Sequence, residues 1–223
     1  MGGAIRRDMD ENILSVWQST AESNGKFYVI PDGCRDLIMR STVEEGEKLF
    51  FSPLFDQTHV LSVKAGTKFM GFRMRPGLQI NEKDLLASIS LDSMDIDDIS
   101  SILCDLSHRT GAVAEALDCL SSDIKGISHA ASELGVSQRT LQRMLVKGTS
   151  RPPVYWMMLS RVRKAARTLG LGNSLSLAEV ADRHGYADQS HMTREIKRWL
   201  GVSPTTLRNS SSICRQLNDV GYG

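Results

Sequence analysis

Two sets of polar and basic side chains recur at matching distances from a helix-capping residue. One, two, five and six residues after Ser137 and after Asp188 stand Gln138, Arg139, Gln142 and Arg143, and then Gln189, Ser190, Thr193 and Arg194. Arg can donate two hydrogen bonds to guanine, Gln can pair bidentately with adenine, and the methyl group of Thr can contact thymine. Because residues three or four apart share one face of a helix, each set predicts a surface able to read base edges.

Both sets follow copies of a degenerate repeat. Ala131 and Gly135, like Ala181 and Gly185, stand four residues apart. The Ala allows a second helix to pack closely, and the Gly can take the left-handed conformation that ends a helix. Ser137 or Asp188 then caps the next helix, and the second turn is one residue longer than the first. The repeat predicts helix-turn-helix motifs at about 128–147 and 176–200, with their inner faces formed by Leu141, Met144 and Leu145 and by Met192, Ile196, Trp199 and Leu200.

The distribution of charge favours contact with DNA over an ordinary hydrated surface. Polar residues on the outer face of an amphipathic helix are usually only solvated. Residues 125–209, however, carry 14 Lys and Arg against 5 Asp and Glu, whereas residues 1–124 carry 12 against 20. A basic segment joined to an acidic one predicts a polyanionic partner, and we expect double-stranded DNA.

A single helix is predicted between the two motifs. Pro152 and Pro153 suit a first helical turn, and Gly170 to Asn173 suits a stop. Leu159, Val162, Ala166 and Leu169 would form its buried stripe. Its basic residues, which are expected to be solvated or to contact the DNA backbone, are Arg161, Arg163, Lys164 and Arg167.

The first half predicts a different architecture, so the fold class is α+β. Turn residues separate short apolar runs, which is typical of a small β-barrel-like or sandwich domain. The runs are 27–30, 36–39, 49–51, 60–63 and 69–74, and helices are expected over 82–89 and 95–106. We predict an N-terminal domain over 1–110, a linker over 107–111 at its end, a helical domain over 111–209 and a polar tail over 210–223.

The cysteines give little support to catalytic chemistry. Cys34, Cys104, Cys119 and Cys214 are widely spaced and form no Cys-x-x-Cys pair. A DNA-repair methyltransferase would need clustered zinc ligands, and only Arg35 is near enough in sequence to activate Cys34. We therefore expect no catalytic residues, no metal and no cofactor. The N-terminus lacks the apolar core of a signal peptide, which predicts a cytoplasmic protein without a membrane partner.

Residues 113–208 resemble the DNA-binding domain of the AraC/XylS family of bacterial regulators. The resemblance rests on Gly185-Tyr186-x-Asp188-x-Ser190, Arg194-x-Ile196-Lys197, Gly201-x-Ser203-Pro204 and Arg208. Where the family usually has Phe, this chain has Met192 and Ile196, and Leu207 replaces a usual Tyr. These changes keep the apolar character needed for packing.

The resemblance implies a sequence-specific transcriptional regulator. Seven helices would present two recognition helices to successive major-groove segments. Base contacts would come from Arg139, Gln142 and Arg143 and from Gln189, Ser190, Thr193 and Arg194, whereas Gln138 and Lys197 would contact phosphates. RNA polymerase and a second copy of the chain are the further partners that the resemblance suggests. A regulator that acts by binding another protein stays open as an alternative.

The N-terminal half resembles the sensory domain of some members of that family. The resemblance rests on Pro31-Asp32-Gly33-Cys34-Arg35-Asp36-Leu37-Ile38 and on Gly71-x-Arg73-x-x-Pro76-Gly77. It implies a small-molecule or protein effector, for which the sequence identifies no contact residues. We interpret Asp32-Gly33 as a turn and expect Arg73 to pair with Asp36.

Overall fold

The N-terminal half is built from antiparallel strands and two short helices. The computed structural model describes residues 3–5, 11–90, 94–170 and 175–223, the first of these by its backbone alone. Its strands are β1 (Gly3–Ile5), β2 (Ile13–Thr20), β3 (Gly25–Val29), β4 (Asp36–Thr42), β5 (Gly46–Phe51), β6 (His59–Val63), β7 (Lys68–Met74), β8 (Gln79–Ile80) and β9 (Ser107–His108), with helices α1 (Glu82–Ser88) and α2 (Ile96–Asp105).

These strands are hydrogen-bonded in three groups. The main sheet has the order β1-β2-β7-β4-β5, while β3 pairs with β6 and β8 pairs with β9. One face of the main sheet buries Val16, Leu37 and Phe72 against Leu85 of α1 and Leu103 of α2. The Asp95 side chain caps α2 through the backbone N–H groups of residues 97 and 98, which fixes where that helix begins. The five expected strands and both expected helices are confirmed.

The strand β2 was not predicted, although it lies inside the main sheet between β1 and β7. Its register shifts between Ile13 and Ser15, so the alternation of apolar and polar residues is interrupted. A periodicity of two is the signal by which strands are found in a sequence, and the bulge removes it here.

The C-terminal half is helical. Its helices are α3 (Gly111–Ser121), α4 (Ile127–Glu133), α5 (Gln138–Thr149), α6 (Pro153–Gly170), α7 (Leu177–Arg183), α8 (Gln189–Leu200), α9 (Pro204–Arg208) and α10 (Ser211–Asn218). Among the described residues of 111–209, the seven helices that the resemblance implies are confirmed as α3 to α9. The predicted α6 start is confirmed too, whereas Gly172 and Asn173 of its expected stop lie outside the described residues, as does the N-terminus apart from β1.

The last residues of the chain differ from the expected polar tail. Helix α10 buries Ile213 and Leu217, and Tyr222 beyond it is only 6 % exposed. Cys214 lies against Gly170 at the end of α6. The segment is polar in composition, but its few apolar residues fall on one face and complete the helical core.

The two halves share packing along several segments. Ile30 belongs to the helical core, the Tyr155 hydroxyl donates to the carbonyl of Phe55 at 2.8 Å, and the amide of Thr58 donates to the carbonyl of Trp199 at 2.9 Å. The domain boundary near residue 110 stays a prediction, because these contacts cross it. Within the described ranges, every helix is too short or too polar to cross a membrane.

Candidate DNA-recognition surface

The turns of the two motifs share their backbone geometry at the repeat glycine. Gly135 and Gly185 have φ angles of 65° and 68°, the left-handed region that glycine adopts without strain. The residue after each Gly donates its amide to the carbonyl of the repeat Ala, Val136 to Ala131 and Tyr186 to Ala181, both at 2.9 Å. The degenerate repeat is therefore a structural repeat, as predicted.

The second helix of each motif is capped as expected. The Ser137 hydroxyl accepts from the amide of Thr140 at 3.1 Å, and the Asp188 carboxylate accepts from the amide of His191 at 2.7 Å. These bonds satisfy amides that have no partner inside the helix. They also fix the rotational setting of α5 and α8, because they determine which residues form the first turn.

The first helices of the motifs begin differently. In α7, Ser176 and Glu179 form a reciprocal capping box. In α4, Gly126 occupies the capping position and offers no side-chain acceptor. Ser at this position stabilises a helix over Gly by only roughly a few tenths of a kcal/mol, so α7 has slightly more local support than α4.

The inner faces of α5 and α8 are buried. Leu141 and Leu145 are inaccessible to solvent, Met144 is half-buried, and Met192, Ile196, Trp199 and Leu200 are all buried. The predicted inner faces are therefore confirmed. Burial of one face leaves the opposite face of each helix toward solvent.

The structure places eight of the nine predicted contact residues in exposed positions. Thr193 is half-buried, and the exposed residues are Gln138, Arg139, Gln142, Arg143, Gln189, Ser190, Arg194 and Lys197. In the part of the chain that the structure describes, none of the nine side chains forms an ion pair or hydrogen bond. Their donors and acceptors remain available to a partner.

Helix α6 joins the two motifs through a continuous buried stripe. Leu159, Val162, Ala166 and Leu169 are buried, as predicted. An 18-residue helix extends roughly 27 Å at 1.5 Å per residue. The motifs are thus held apart by a rigid element that packs against both.

Arg163 is not solvated, contrary to expectation. It is 0 % exposed and donates to the carbonyls of Pro31, Leu217 and Asp219 at 3.2–3.4 Å. Burial lowers its pKa to about 10, although Asp32 acts against that shift. The sequence contained a signal for this, since residue 163 falls within the spacing of the buried stripe.

The other basic residues of α6 also have partners. Arg167 is half-buried and donates to the carbonyl of Leu217 at 2.7 Å. Lys164 donates to the carbonyl of Ser121 at 2.6 Å, and the guanidinium of Arg161 lies 5.6 Å from the ring centre of Tyr186. Most of the charge on this helix therefore serves packing between elements.

The Pro-Asp-Gly-Cys segment lies against α6 and the C-terminal residues. Arg73 contacts Asp36 at 3.1 Å, which confirms that expected pair, and it also contacts Asp32 at 3.2 Å. The Asp32 carboxylate accepts from the amide of Cys34 at 2.9 Å, which forms the predicted turn. The carbonyl of Asp32 accepts from the amide of Tyr222 at 2.7 Å. Sequence reasoning found the turn and the pair but missed their role in joining the halves.

The structure gives no sign of a reactive thiol at Cys34. Its side chain is buried, and this burial, reinforced by Asp32, raises the pKa of the thiol well above its ordinary value. Among the described residues, no cluster of His, Cys, Asp and Glu has the geometry to hold a metal ion.

Comparison with known proteins agrees with the geometry of the two motifs. Residues 130–210 match the model of a family described as a helix-turn-helix domain. The HTH-type transcriptional regulator RipA of Corynebacterium glutamicum is 36% identical over 99 residues, which is 44% of this chain and 29% of RipA. The chain thus spans under a third of the length of that relative.

Two solved structures illustrate the range of similar folds. A transcriptional regulator from Chromobacterium violaceum, described as having an AraC-type DNA-binding domain, is 19% identical, with 49% of this chain and 95% of that chain covered and a TM-score of 0.41. ToxT from Vibrio cholerae O395 is 10% identical over 92% of this chain and 97% of its own, with a TM-score of 0.47. Both scores are low, so the assignment rests on the sequence match and the paired motifs. The chain carries a helix-turn-helix domain over residues 130–210.

Proposed function

We propose that this protein is a sequence-specific, DNA-binding transcriptional regulator that reads two successive major-groove segments. The observation that carries the proposal is the pair of equivalent exposed faces on α5 and α8. In each helix, the exposed polar residues stand at the same distances from the capping residue, and Gln and Arg side chains among them form no hydrogen bond or ion pair within the described residues. A solvated surface needs no such correspondence between two motifs. The name of RipA, a transcriptional regulator, supports the same function.

The roles of the individual residues follow from their chemistry. Arg139, Arg143 and Arg194 are proposed to read guanine, and Gln142 and Gln189 to read adenine. Ser190 would accept or donate at either base, and Thr193 would place its methyl group against thymine. Gln138 and Lys197 would contact phosphates, which orient a protein on DNA without reading its sequence.

The separation of the motifs suits one face of the duplex. Successive major-groove segments on one face lie about 34 Å apart. Helix α6 extends roughly 27 Å and packs against α5 of the first motif and against α7 and α8 of the second. One chain would then occupy two groove segments, and its target site need not be palindromic.

Selection of bound fragments from a fragmented bacterial genome, using the full chain, tests the proposal. We expect enrichment of a short asymmetric sequence and a gel-shift affinity that falls as salt increases, because phosphate contacts release counterions. A variant with Arg143→Ala and Arg194→Ala should lose the enrichment, whereas the matched pair Lys26→Ala and Lys68→Ala on the N-terminal strands should keep it. Failure to bind any fragment at low salt would contradict the proposal.

The remaining partners are part of the same proposal. We place the protein in the bacterial cytoplasm, where the chromosome is, and assign the N-terminal half to an effector or to a second copy of the chain. Contact with RNA polymerase would follow from activation of a promoter. Comparing the selected sequences with and without cell extract, and measuring the mass of the DNA complex, tests the effector and the dimer.

A further inference from the structure

A cavity lies beside α6, between the connection from α3 to α4 and the end of α7. Its volume is about 460 Å³, within the range of small-molecule sites. The walls come from the segment that precedes α4, from α6, and from the turn between α7 and α8. The cavity therefore connects α6 and the turn of the second motif with the segment that leads into the first motif.

Positive charge dominates the lining. Lys125, Arg161, Lys164 and Arg183 line the cavity, and Asp123 is the acidic residue among them. Lys164 donates to the carbonyl of Ser121 at 2.6 Å and lies 3.4 Å from the Asp123 carboxylate, which is fully exposed, so water screens that ion pair. Among the described residues, Lys125 and Arg183 form no ion pair and no side-chain hydrogen bond, although the charge of Arg183 helps to lower the pKa of Glu179.

The pKa of a histidine in the cavity wall is affected by the same cations. His184 lines the cavity, and its ring nitrogen lies 2.8 Å from the hydroxyl of Thr168. Burial lowers the pKa of His184, and the neighbouring charges of Arg183 and Lys164 lower it further, against the opposing effect of Asp123. The pKa of His184 therefore responds to the charge within the cavity.

The floor of the cavity is less polar than its rim. Leu120 and Met157 contribute apolar surface, and Ser160 adds a hydroxyl that lies 3.3 Å from the carbonyl of Ser121. Phosphate groups are bound in proteins by convergent Lys and Arg side chains, since charge-assisted hydrogen bonds are the strongest available. A cavity with a cationic rim and an apolar floor fits a phosphate joined to a less polar body.

We propose that this cavity binds a phosphate group, supplied either by the DNA backbone between the two reading faces or by a free phosphorylated small molecule. A backbone phosphate would be bound where α6 meets the turn of the second motif. A free ligand would adjust the setting of one motif relative to the other. The DNA source rests on the proposed function, whereas the free source does not.

The titration of His184 in the full chain, followed by NMR, tests whether the cavity takes a phosphate-like anion. Inorganic sulfate serves as the probe, because it has the same tetrahedral oxygens and stays doubly charged while imidazole titrates. Sodium chloride at equal ionic strength is the control, and His184→Gln assigns the resonance. Sulfate should raise the pKa of His184 more than chloride does, since an anion in the cavity offsets the nearby cations.

A paired variant decides whether the response belongs to this cavity. Lys125→Gln with Arg183→Gln removes two exposed cations that have no described partner, so the fold should be retained. The sulfate-dependent shift of His184 should then be lost. Lys26→Gln with Lys68→Gln removes the same charge from the N-terminal strands and should leave the shift intact. An equal response to sulfate and chloride, or a shift that persists in the cavity variant, would overturn the proposal.

The salt dependence of duplex binding separates the two sources. Each lost phosphate contact lowers the slope of log K against log salt by about 0.9. A lower slope in the cavity variant, with the His184 shift also lost, identifies the DNA backbone as the source. An unchanged slope with the shift lost identifies a free phosphorylated ligand. If the wild-type chain binds no duplex at all, the proposed function fails, and the sulfate titration still decides the cavity.

Discussion

The arginines at the junction of the two halves, Arg73 and Arg163, differ in burial and in bonding from Arg143 and Arg194 on the exposed faces of α5 and α8, which are called the reading faces below. Arg163 is inaccessible to solvent and Arg73 is largely buried, and both donate to carbonyls or carboxylates. Arg143 and Arg194 are exposed, with no described hydrogen bond or ion pair. Burying a charge is costly unless its donors are satisfied, so the first group must serve structure. The second group has donors left for a partner. The comparison predicts that substitutions at the junction lower stability and that substitutions on the faces lower DNA affinity.

The largest expected effect follows from replacing Arg73 by Met. The substitution leaves Asp36, which is 8 % exposed, without its cation, and leaves Asp32 without its ion pair. Removing one member of a buried pair typically costs about 3–5 kcal/mol of unfolding free energy. Denaturant unfolding of the full chain measures the loss. Lys64→Met breaks the exposed pair with Glu44 and should cost under about 1 kcal/mol.

The pH dependence of this loss gives a second test. Burial raises the pKa of Asp36 even with Arg73 opposing it. A carboxyl group with a raised folded-state pKa costs stability when it is ionised, and that cost disappears as the pH falls and the group is protonated. Removing Arg73 raises the pKa of Asp36 further. The deficit of the variant should therefore be greatest near neutral pH and shrink on acidification; a constant deficit would show that the pair is not its cause.

The next effect concerns the close contact of Gly33 with the helical half. Its φ angle is 75°, and a Cβ added there would lie 2.7 Å from the Cβ of Tyr222 and 3.1 Å from side-chain atoms of Trp156 and Leu159. Gly33→Ala should lower the free energy of unfolding by about 2–4 kcal/mol, combining left-handed strain with overpacking.

Gly46→Ala is the matched control for Gly33→Ala. Gly46 has a φ angle of 68°, and nothing lies within 4 Å of an added Cβ. It should show the backbone strain alone, about 1 kcal/mol. Equal losses in the two variants would mean that the segment around Gly33 does not press against the helices as the structure shows.

The sequence predicted the exposed faces of α5 and α8 more completely than the contacts that join the two halves of the chain. Helical periodicity and caps are local signals, and Ser137 and Asp188 determine the orientation of α5 and α8 within a few residues of themselves. The exposed sets could therefore be found before any tertiary contact was known. Arg163 had a local signal as well, because it falls in the apolar stripe of α6, but its chemical type suggested solvent.

The contacts that bury Arg163 have no local signal. Its carbonyl partners belong to residues 31, 217 and 219, more than fifty positions away in sequence in each case. Helix α10 was missed for a related reason. Ile213 and Leu217 are two apolar residues in a polar segment, and only their packing against the helical core shows that they form the buried face of a helix. Long-range packing decides such positions, and local periodicity does not record it.

On the reading faces, Arg194→Ala should leave the free energy of unfolding unchanged within about 0.5 kcal/mol, because the side chain is exposed and unpaired. Loss of a bidentate contact to a base should weaken binding to the selected DNA by about 1–3 kcal/mol and relax the sequence preference at one position. Fluorescence anisotropy measures the affinity. Lys83→Ala, which removes one charge from α1, should change neither the affinity nor the sequence preference. An unaltered affinity in Arg194→Ala would mean that Arg194 is an ordinary solvated residue that does not contact a base.

The smallest effect sharpens the distinction within the second face. Lys197 lies one turn beyond Arg194 on α8 and is exposed. If it contacts a phosphate, Lys197→Gln should weaken binding to specific and random duplexes alike and reduce the salt slope by about 0.9. Anisotropy across a salt series, with both duplexes, measures this. Loss confined to the specific duplex would instead mean that Lys197 reads a base, because a phosphate contact is insensitive to sequence.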